Sequence, residues 1–240
     1  MKEKRVKNFS DIHKVLQKYR GSTKWVFRGQ SNNPAWKLIP KAGRGKLRIN
    51  DENLFFAWKR HAYAYERRNF GSYWEWLTIA QHHGLTTRLL DWTRNPLAAV
   101  FFAIEHTKNN RDEYDAVIFA YYSGIAWGAG KTDKPPCEPF SKEKKYTNKV
   151  IKYVPRGVTQ RLVMQQGLFT YHDPPEKSLE SSISPKEKLE KIIIPKNILS
   201  ELRVYLSFYG INKRTLFPDF DGLSDWMNWF YGEDYDSNND

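Results

Sequence analysis

The order of strand-like and helix-like segments is the feature that most narrows the folds open to this chain. Apolar runs typical of strands occur early and in the second half, and segments with helical periodicity lie mostly between them. We expect strands at 23–30, 87–93, 115–122, 150–155, 161–172 and 188–195, and helices at 8–20, 51–69, 72–84, 95–106 and 196–209. Because strands and helices do not alternate regularly, we expect an α+β fold.

The domain organisation follows from length and composition. With 240 residues, 15% of them aromatic, the chain is long and apolar enough for one domain, which we expect over 1–231, followed by an acidic disordered tail at 232–240. The segment 124–147 is rich in Gly, Pro and Lys, which indicates a long exposed loop. No apolar run of membrane-spanning length and no signal-peptide pattern is present, so we expect a cytoplasmic protein without membrane contact. The single cysteine, Cys137, excludes an internal disulfide and a thiolate metal cluster.

Charge is distributed unevenly along the chain. The net charge is +12, and residues 1–68 carry 18 basic and 5 acidic groups, whereas 219–240 carry seven acidic groups and no basic one. Such an excess is typical of proteins that bind phosphates, in nucleic acid or in a dinucleotide. A solvated basic surface that only aids solubility is the alternative.

The segment FRGQ, 27–30, is the first candidate site. Arg28 ends a predicted strand, Gly29 lets the backbone approach a ligand, and Gln30 follows. A guanidinium can donate paired hydrogen bonds to phosphate or ribose oxygens. An arginine that holds a carboxylate across the sheet explains the pattern equally well.

A second candidate, 80–103, has polar residues where a helix meets a strand and where that strand meets the next helix. Asp91 lies in an apolar run, so it needs a partner such as Arg28 or Arg88, either in a buried ion pair or as part of a ligand site. Thr93 and Asn95 are also suited to cap the helix that follows, and His83 to end the helix before Gly84. His83 is alternatively a ligand or a proton carrier.

Two further groups occur in the C-terminal half. Gln165 and Gln166 are adjacent on the predicted strand 161–172, so only one of them can face a given ligand. Asp219 and Asp221 precede Gly222 with a spacing that suits a metal or, at lower cost, a turn. P-loop, nucleophile-elbow, zincin and Rossmann motifs are absent from the sequence.

Four segments together resemble the FRG domain family, named for its Phe-Arg-Gly motif. They are FRGQ at 27–30, QHHGLTTRLLDWTRNPLAAVFFA at 81–103, RLVMQQGLFTYH at 161–172 and YGINKRTLFPDFDGL at 209–223. The resemblance extends from Phe9 to Trp229 and implies a single FRG domain over 1–231.

The same arrangement also resembles the three-part NAD site of ADP-ribosyltransferases. This resemblance implies a split β core with clustered helices, in which Arg28 grips NAD and Trp92 and Thr93 bracket the nicotinamide. Gln165 or Gln166 then matches the third position, where that superfamily usually has Glu, so either Asp91 supplies the negative charge or the activity is altered or absent. The residues expected around NAD by this resemblance are Arg28, Gly29, Gln30, His83, Arg88, Trp92 and Thr93, with Asp91, Gln165 and Gln166 as catalytic candidates and no metal.

The function that this resemblance implies is NAD-dependent ADP-ribosyl transfer, and the net charge of +12 favours a nucleic acid, RNA or DNA, over a protein as the molecule that is modified. By analogy, we expect a bacterial toxin or anti-phage effector that an inhibitory protein partner, an antitoxin, holds in check. Two alternatives stay open. One is a metal-dependent nuclease that uses Asp91, Asp219, Asp221 and His83, and the other is a non-catalytic nucleic-acid-binding module.

Overall fold

The computed structural model describes residues 1–45, 47–66, 70–109, 113–128, 135–143 and 147–232. Within these ranges the chain forms one seven-stranded sheet, with two groups of helices on one of its faces. The strands are β1 (Lys2–Arg5), β2 (Trp25–Ser31), β3 (Leu89–Thr93), β4 (Ala116–Tyr122), β5 (Lys149–Tyr153), β6 (Gly167–Asp173) and β7 (Lys188–Ile194). The helices are α1 (Phe9–Leu16), α2 (Lys41–Arg44), α3 (Asp51–Ala62), α4 (Tyr73–His82), α5 (Pro96–Asn109), α6 (Gln160–Met164), α7 (Leu199–Phe208), α8 (Lys213–Leu216) and α9 (Phe220–Phe230).

The sheet has the order β1-β7-β4-β2-β3-β6-β5. β1 is parallel to β7, and every other neighbouring pair is antiparallel. This mixed sheet with separate groups of helices confirms the predicted α+β class. None of the described helices has both the length and the apolar composition that a membrane crossing requires.

Two predicted elements differ from the structure because of local caps. The expected strand 161–172 is divided: Thr159 accepts a hydrogen bond from the Leu162 backbone and starts α6, and β6 begins only at Gly167. Helix α1 starts at Phe9, capped by Asn8 and not by Ser10 as expected from the sequence. In contrast, Gly84 ends α4 in a left-handed conformation, φ 84°, as its position predicted.

Strand β1 was missed because its sequence, KEKR, is exposed at every position and has no apolar periodicity. The predicted helix 51–69 ends at Ala62, and its last three residues lie outside the described ranges. The acidic tail predicted at 232–240 lies, from residue 233 onward, outside them too.

The helices on one face of the sheet form two groups. Helices α1, α5 and α7 pack on β7, β4 and β2, whereas α3 and α4 pack on β3, β6 and β5. The opposite face is covered by a second apolar layer that includes Leu38 and Leu179 from connecting segments. The boundary between the two helix groups therefore falls at the junction of β2 and β3.

At this junction the strands diverge. β2 pairs with β4 along its whole length, from Trp25 to Ser31, but with β3 only where Phe27 meets Thr93. β3 continues to pair with β6 along its full length. The divergence opens the sheet between two otherwise continuous halves, and the candidate site lies there.

Candidate functional site

A cleft of about 590 Å³ occupies the gap where β2 and β3 diverge. Its floor is formed by residues 27–29 of β2 and 91–93 of β3. The walls come from separate helices and the segments around them: Gln81, His82, His83, Phe101, Phe102, Glu105, His106, Arg161, Gln165, Lys213 and Phe217. The volume is in the range of small-ligand sites, so the cleft is large enough for a nucleotide-sized molecule.

Arg28 is held at the base of the cleft by two hydrogen bonds. Its Nε donates to Gln30 Oε1 at 3.2 Å, and its Nη1 donates to the Asp91 backbone carbonyl at 2.8 Å. In a continuous sheet that carbonyl would accept a bond from β2; here the side chain of Arg28 replaces the missing backbone partner. Its Nη2 makes no hydrogen bond with any residue in the described ranges. The guanidinium is therefore fixed in place and still has donors for a ligand.

The charge of Arg28 is sensitive to its surroundings. Its side chain is only 14% exposed. Burial lowers the pKa of the guanidinium to about 10, an effect that Asp91 opposes and Arg44 reinforces. Arg28 therefore remains a cation near neutral pH, in a place where an anionic ligand would stabilise it.

Gln30 supports Arg28 and does not itself line the cleft. Its buried amide donates from Nε2 to the Trp36 carbonyl at 2.8 Å, which turns Oε1 toward Arg28. Gly29, next to it, lines the cleft but has a packing reason to be glycine. A Cβ there would lie 1.9 Å from the Ala99 carbonyl and 2.4 Å from the Ala103 nitrogen. Glycine is therefore required because the backbone of α5 packs directly against β2 at this position, whether or not a ligand binds.

The carboxylate of Asp91 faces the cleft and is 61% exposed. It lies 3.9 Å from Arg28 Nη1, and both of its oxygens are 3.1 Å from Gln81 Nε2. Gln81 is fixed in turn because its Oε1 accepts a hydrogen bond from the Thr87 hydroxyl at 2.5 Å. Asp91 therefore does form an ion pair with Arg28, one of the two partners expected from the sequence, but the pair is long and the carboxylate is oriented and solvent-accessible instead of buried.

The side chains of Trp92 and Thr93 make their hydrogen bonds within the protein. The indole of Trp92 is only 3% exposed and donates from Nε1 to Thr170 Oγ1 at 3.1 Å, within the apolar layer on the opposite face of the sheet. The Thr93 hydroxyl accepts from the Asn95 backbone and donates to the Gln165 carbonyl at 2.6 Å. Asn95 caps α5 by accepting from the backbone of residues 97 and 98, as the sequence indicated.

The two glutamines do not lie on a strand, so that prediction is wrong. Gln165 ends α6, borders the cleft and donates from Nε2 to the Leu216 carbonyl at 3.0 Å. Gln166 adopts a left-handed conformation, φ 48°, in the turn before β6 and does not line the cleft. The two side chains therefore point in different directions because the chain turns between α6 and β6, and not because of the alternation of side chains along a strand.

Arg88 lies outside the cleft in a buried ion-pair network. Its Nε and Nη2 bind the two carboxylate oxygens of Asp51 at 2.6 and 2.7 Å, and its Nη1 binds Asp173 at 2.9 Å. Asp51 is 5% exposed, and the network joins the start of α3 to the start of β3 and the end of β6. Arg88 has the structural role that was considered for Arg28.

The histidines mark the end of α4. His83 is the residue at which the helix ends, and its exposed ring lines the cleft. His82 lines it as well, and burial lowers the pKa of its imidazole, with Arg161 and His83 acting in the same direction and Asp219 against it. His82 is therefore largely neutral at physiological pH, and both rings contribute hydrogen-bonding edges to the wall.

Asp219 and Asp221 belong to the start of α9. Asp219 caps the helix by accepting from the Gly222 backbone at 2.7 Å, and Asp221 lies in its first turn. The part of the chain that the structure describes contains no group of three or more His, Cys, Asp and Glu placed to hold a metal ion. The capping geometry accounts for the spacing of these two aspartates.

Sequence reasoning missed several residues that line the cleft. Gln81 begins the QHHG segment and Arg161 begins RLVMQQG, so both were inside motifs already singled out. The expectation of one long strand at 161–172 hid α6, and with it the position of Arg161. Phe217 and Lys213 are brought to the cleft by tertiary packing, for which the local sequence carries no signal.

The sequence model of the FRG domain family matches residues 23–112. The matched segment contains Arg28, Gln81 and Asp91, whereas Arg161 and Phe217 complete the cleft from outside it. This match supports the resemblance to FRG domains for that part of the chain. No curated protein and no solved structure is similar enough to count as a match.

Proposed function

We propose that this protein is an NAD-dependent ADP-ribosyltransferase that modifies nucleic acid. One observation carries the proposal: a fixed guanidinium with unused donors and an oriented, exposed carboxylate face the same cleft at the divergence of two strands. This is the pair of groups that binding and activating NAD require, a cation for phosphate or ribose oxygens and an anion for the ribose at the transition state.

Arg28 is the NAD-binding group in this proposal. Gln30 and the Asp91 carbonyl hold two of its nitrogens, so little side-chain entropy is lost when a ligand binds the third. Burial strengthens its interaction with an anion because the local dielectric is lower than that of water.

Asp91 is the catalytic carboxylate. In the reaction, the bond between ribose C1′ and the nicotinamide nitrogen breaks, and nicotinamide leaves with the electron pair. The positive charge that develops on the ribose is stabilised by a nearby carboxylate. An oxygen or nitrogen of the acceptor then attacks C1′ and loses its proton to the solvent.

Other groups at the cleft are less suited to this role. The amide of Gln165 carries no charge and is bound to the Leu216 carbonyl. Glu105 is an acid that lines the cleft, but it is paired with Arg203 and Lys213, at 3.4 and 3.6 Å. Asp91 faces the cleft with its charge more accessible, and Gln81 positions it.

The nucleic acid acceptor is proposed from charge. The net charge of +12 attracts a polyanion, and Lys41 and Arg161 are cations at the cleft itself. Displacement of counterions from a polynucleotide favours such contacts at low salt.

The proposal is tested by incubating the protein with labelled NAD and, separately, RNA, DNA or protein. We expect label on a nucleic acid and release of nicotinamide, and loss of both in Asp91→Asn without loss of folding. Asp221→Asn is the matched control, because Asp221 is an exposed carboxylate outside the cleft, and it should keep full activity. Absence of NAD turnover with every acceptor, or full turnover in Asp91→Asn, contradicts the proposal.

The biological setting that we propose is a bacterial toxin or anti-phage effector restrained by an inhibitory protein. Modification of nucleic acid harms the cell in which it occurs, so expression of the wild-type protein alone should arrest growth, whereas expression of Asp91→Asn should not. Equal growth of the two strains would contradict this setting.

A further inference from the structure

We infer that Arg161 and Arg28 together bind a diphosphate group in the cleft, one guanidinium to each phosphate. This assigns a ligand-binding role to a residue outside the matched FRG segment. Only the identification of the diphosphate with that of NAD rests on the proposed function; the anion site itself does not depend on ADP-ribosyl transfer.

The guanidinium of Arg161 is held in place without using its hydrogen bonds. Its central carbon lies over the Phe217 ring, 4.3 Å from the ring centre, which is the distance of a cation–π contact. In the described ranges it makes no hydrogen bond and no ion pair, although it is half-buried and lines the cleft. The contact with the ring uses none of its N–H groups as hydrogen-bond donors, so a ligand can accept them.

The platform beneath Arg161 is itself fixed. The Phe217 ring meets the edge of Phe102, with ring centres 6.2 Å apart, and its backbone donates to the Lys213 carbonyl at 2.8 Å. Lys213 lies 5.0 Å from the same ring, but its ammonium already faces Glu105 and Asp225, at 3.6 and 3.3 Å. Of the two cations on Phe217, Arg161 is therefore the one whose donors are available.

The two arginines are placed around one carboxylate. Asp91 lies 3.9 Å from Arg28, and it also interacts electrostatically with Arg161. Burial lowers the pKa of both guanidinium groups, and Asp91 opposes that effect in each. Asp219, which does not line the cleft, acts on Arg161 in the same direction. The lining itself has four cations and two acids, so the cleft has an uncompensated positive charge: Arg28, Lys41, Arg161 and Lys213 against Asp91 and Glu105.

This excess of charge favours a diphosphate over an isolated phosphodiester. The net charge of +2 on the lining matches two adjacent phosphates with one negative charge each, and arginine binds phosphate through paired N–H donors. A single phosphodiester carries one negative charge and would compensate only half of the excess.

The test is isothermal titration of the full-length protein with inorganic pyrophosphate at fixed ionic strength. We expect the wild type to bind and Arg161→Gln to bind about tenfold more weakly, the effect of losing a hydrogen bond to a charged group. Arg161→Lys should also bind weakly, because lysine does not reproduce the stacked fork. The matched control is Arg214→Gln: Arg214 stacks on Trp226 at 4.6 Å, outside the cleft, and its loss removes the same charge.

Three results would overturn the inference. They are no pyrophosphate binding by the wild type, equal weakening in Arg214→Gln, and a loss in Arg161→Gln that affects a single-stranded oligonucleotide but not pyrophosphate. Thermal unfolding of each variant verifies that it is folded. If Arg161→Gln does not fold, pyrophosphate binding is compared between the wild type and Arg161→Lys instead. If Arg161→Gln weakens pyrophosphate binding but the wild-type protein never consumes NAD, the anion site is supported and the proposed transferase activity is contradicted.

Discussion

Arg28 and Arg88 offer a direct comparison of a ligand-binding arginine with a structural one. Each is a buried arginine near a carboxylate, but the two carboxylates differ: that of Asp91 is 61% exposed, and Asp51 is 5% exposed. Removing Arg28 therefore leaves Asp91 solvated, whereas removing Arg88 leaves a charge buried without its partner.

The magnitudes follow from this difference. Arg28→Ala deprives the buried Gln30 amide oxygen of a donor, which should cost about 1–3 kcal/mol of unfolding free energy. The Asp91 carbonyl, at the edge of the cleft, can bind water instead. Arg88→Ala removes two bonds from the buried Asp51 carboxylate and should cost about 3–5 kcal/mol.

The assay is urea-induced unfolding of both variants beside NAD turnover with nucleic acid. We expect Arg28→Ala to be folded and inactive, and Arg88→Ala to be the less stable of the two. If Arg28→Ala loses as much stability as Arg88→Ala, the assignment of Arg28 as a ligand group is refuted. Full turnover in Arg28→Ala would remove it from the site.

Three further predictions concern packing, pH and salt. Gly29→Ala places a Cβ 1.9 Å from the Ala99 carbonyl and should lower the unfolding free energy by about 3 kcal/mol, whereas Gly21→Ala, with open space around it, should change it little in the same urea titration. Burial lowers the pKa of His172 from 6.5 to about 4, so the unfolded chain binds the extra proton and stability should fall as pH decreases from 6.5 to 4, by up to about 1.4 kcal/mol per pH unit. His172→Gln should reduce that slope between pH 6.5 and 5, leaving the smaller contribution of His82, and an unchanged slope would contradict the prediction. Affinity for single-stranded RNA should decrease with salt, with a logarithmic slope of about 0.7 for each phosphate neutralised, and a flat titration would argue against a polyanionic partner.

Much of the fold could be predicted because its elements carry local signals. The buried strand β4 is a continuous apolar run, and α4 begins at a capping serine, Ser72, and ends at Gly84. The predictions of secondary structure were wrong where the local sequence pattern is absent or misleading. β1 is composed of charged residues and is held only by pairing with β7, and the apolar residues of α6 gave a strand-like pattern that the Thr159 cap overrides.

The candidate site was predicted less completely, for a physical reason. Arg28 was singled out because it ends a predicted strand just before a glycine, and Asp91 because a charged residue in an apolar run requires a partner. Their meeting in one cleft depends on the divergence of β2 from β3, a tertiary feature that no local pattern specifies. The stacking of Arg161 on Phe217 joins positions 56 residues apart and could not be read from either segment.

Mass spectrometry of a defined oligonucleotide, after incubation with the protein and NAD, measures ADP-ribosyl transfer to nucleic acid directly. We expect RNA or DNA to gain the mass of one or more ADP-ribose groups with the wild-type protein, and to gain none with Arg28→Ala or Asp91→Asn. An unchanged mass with the wild-type protein on every RNA and DNA tested, or an equal gain with Asp91→Asn, would contradict this expectation.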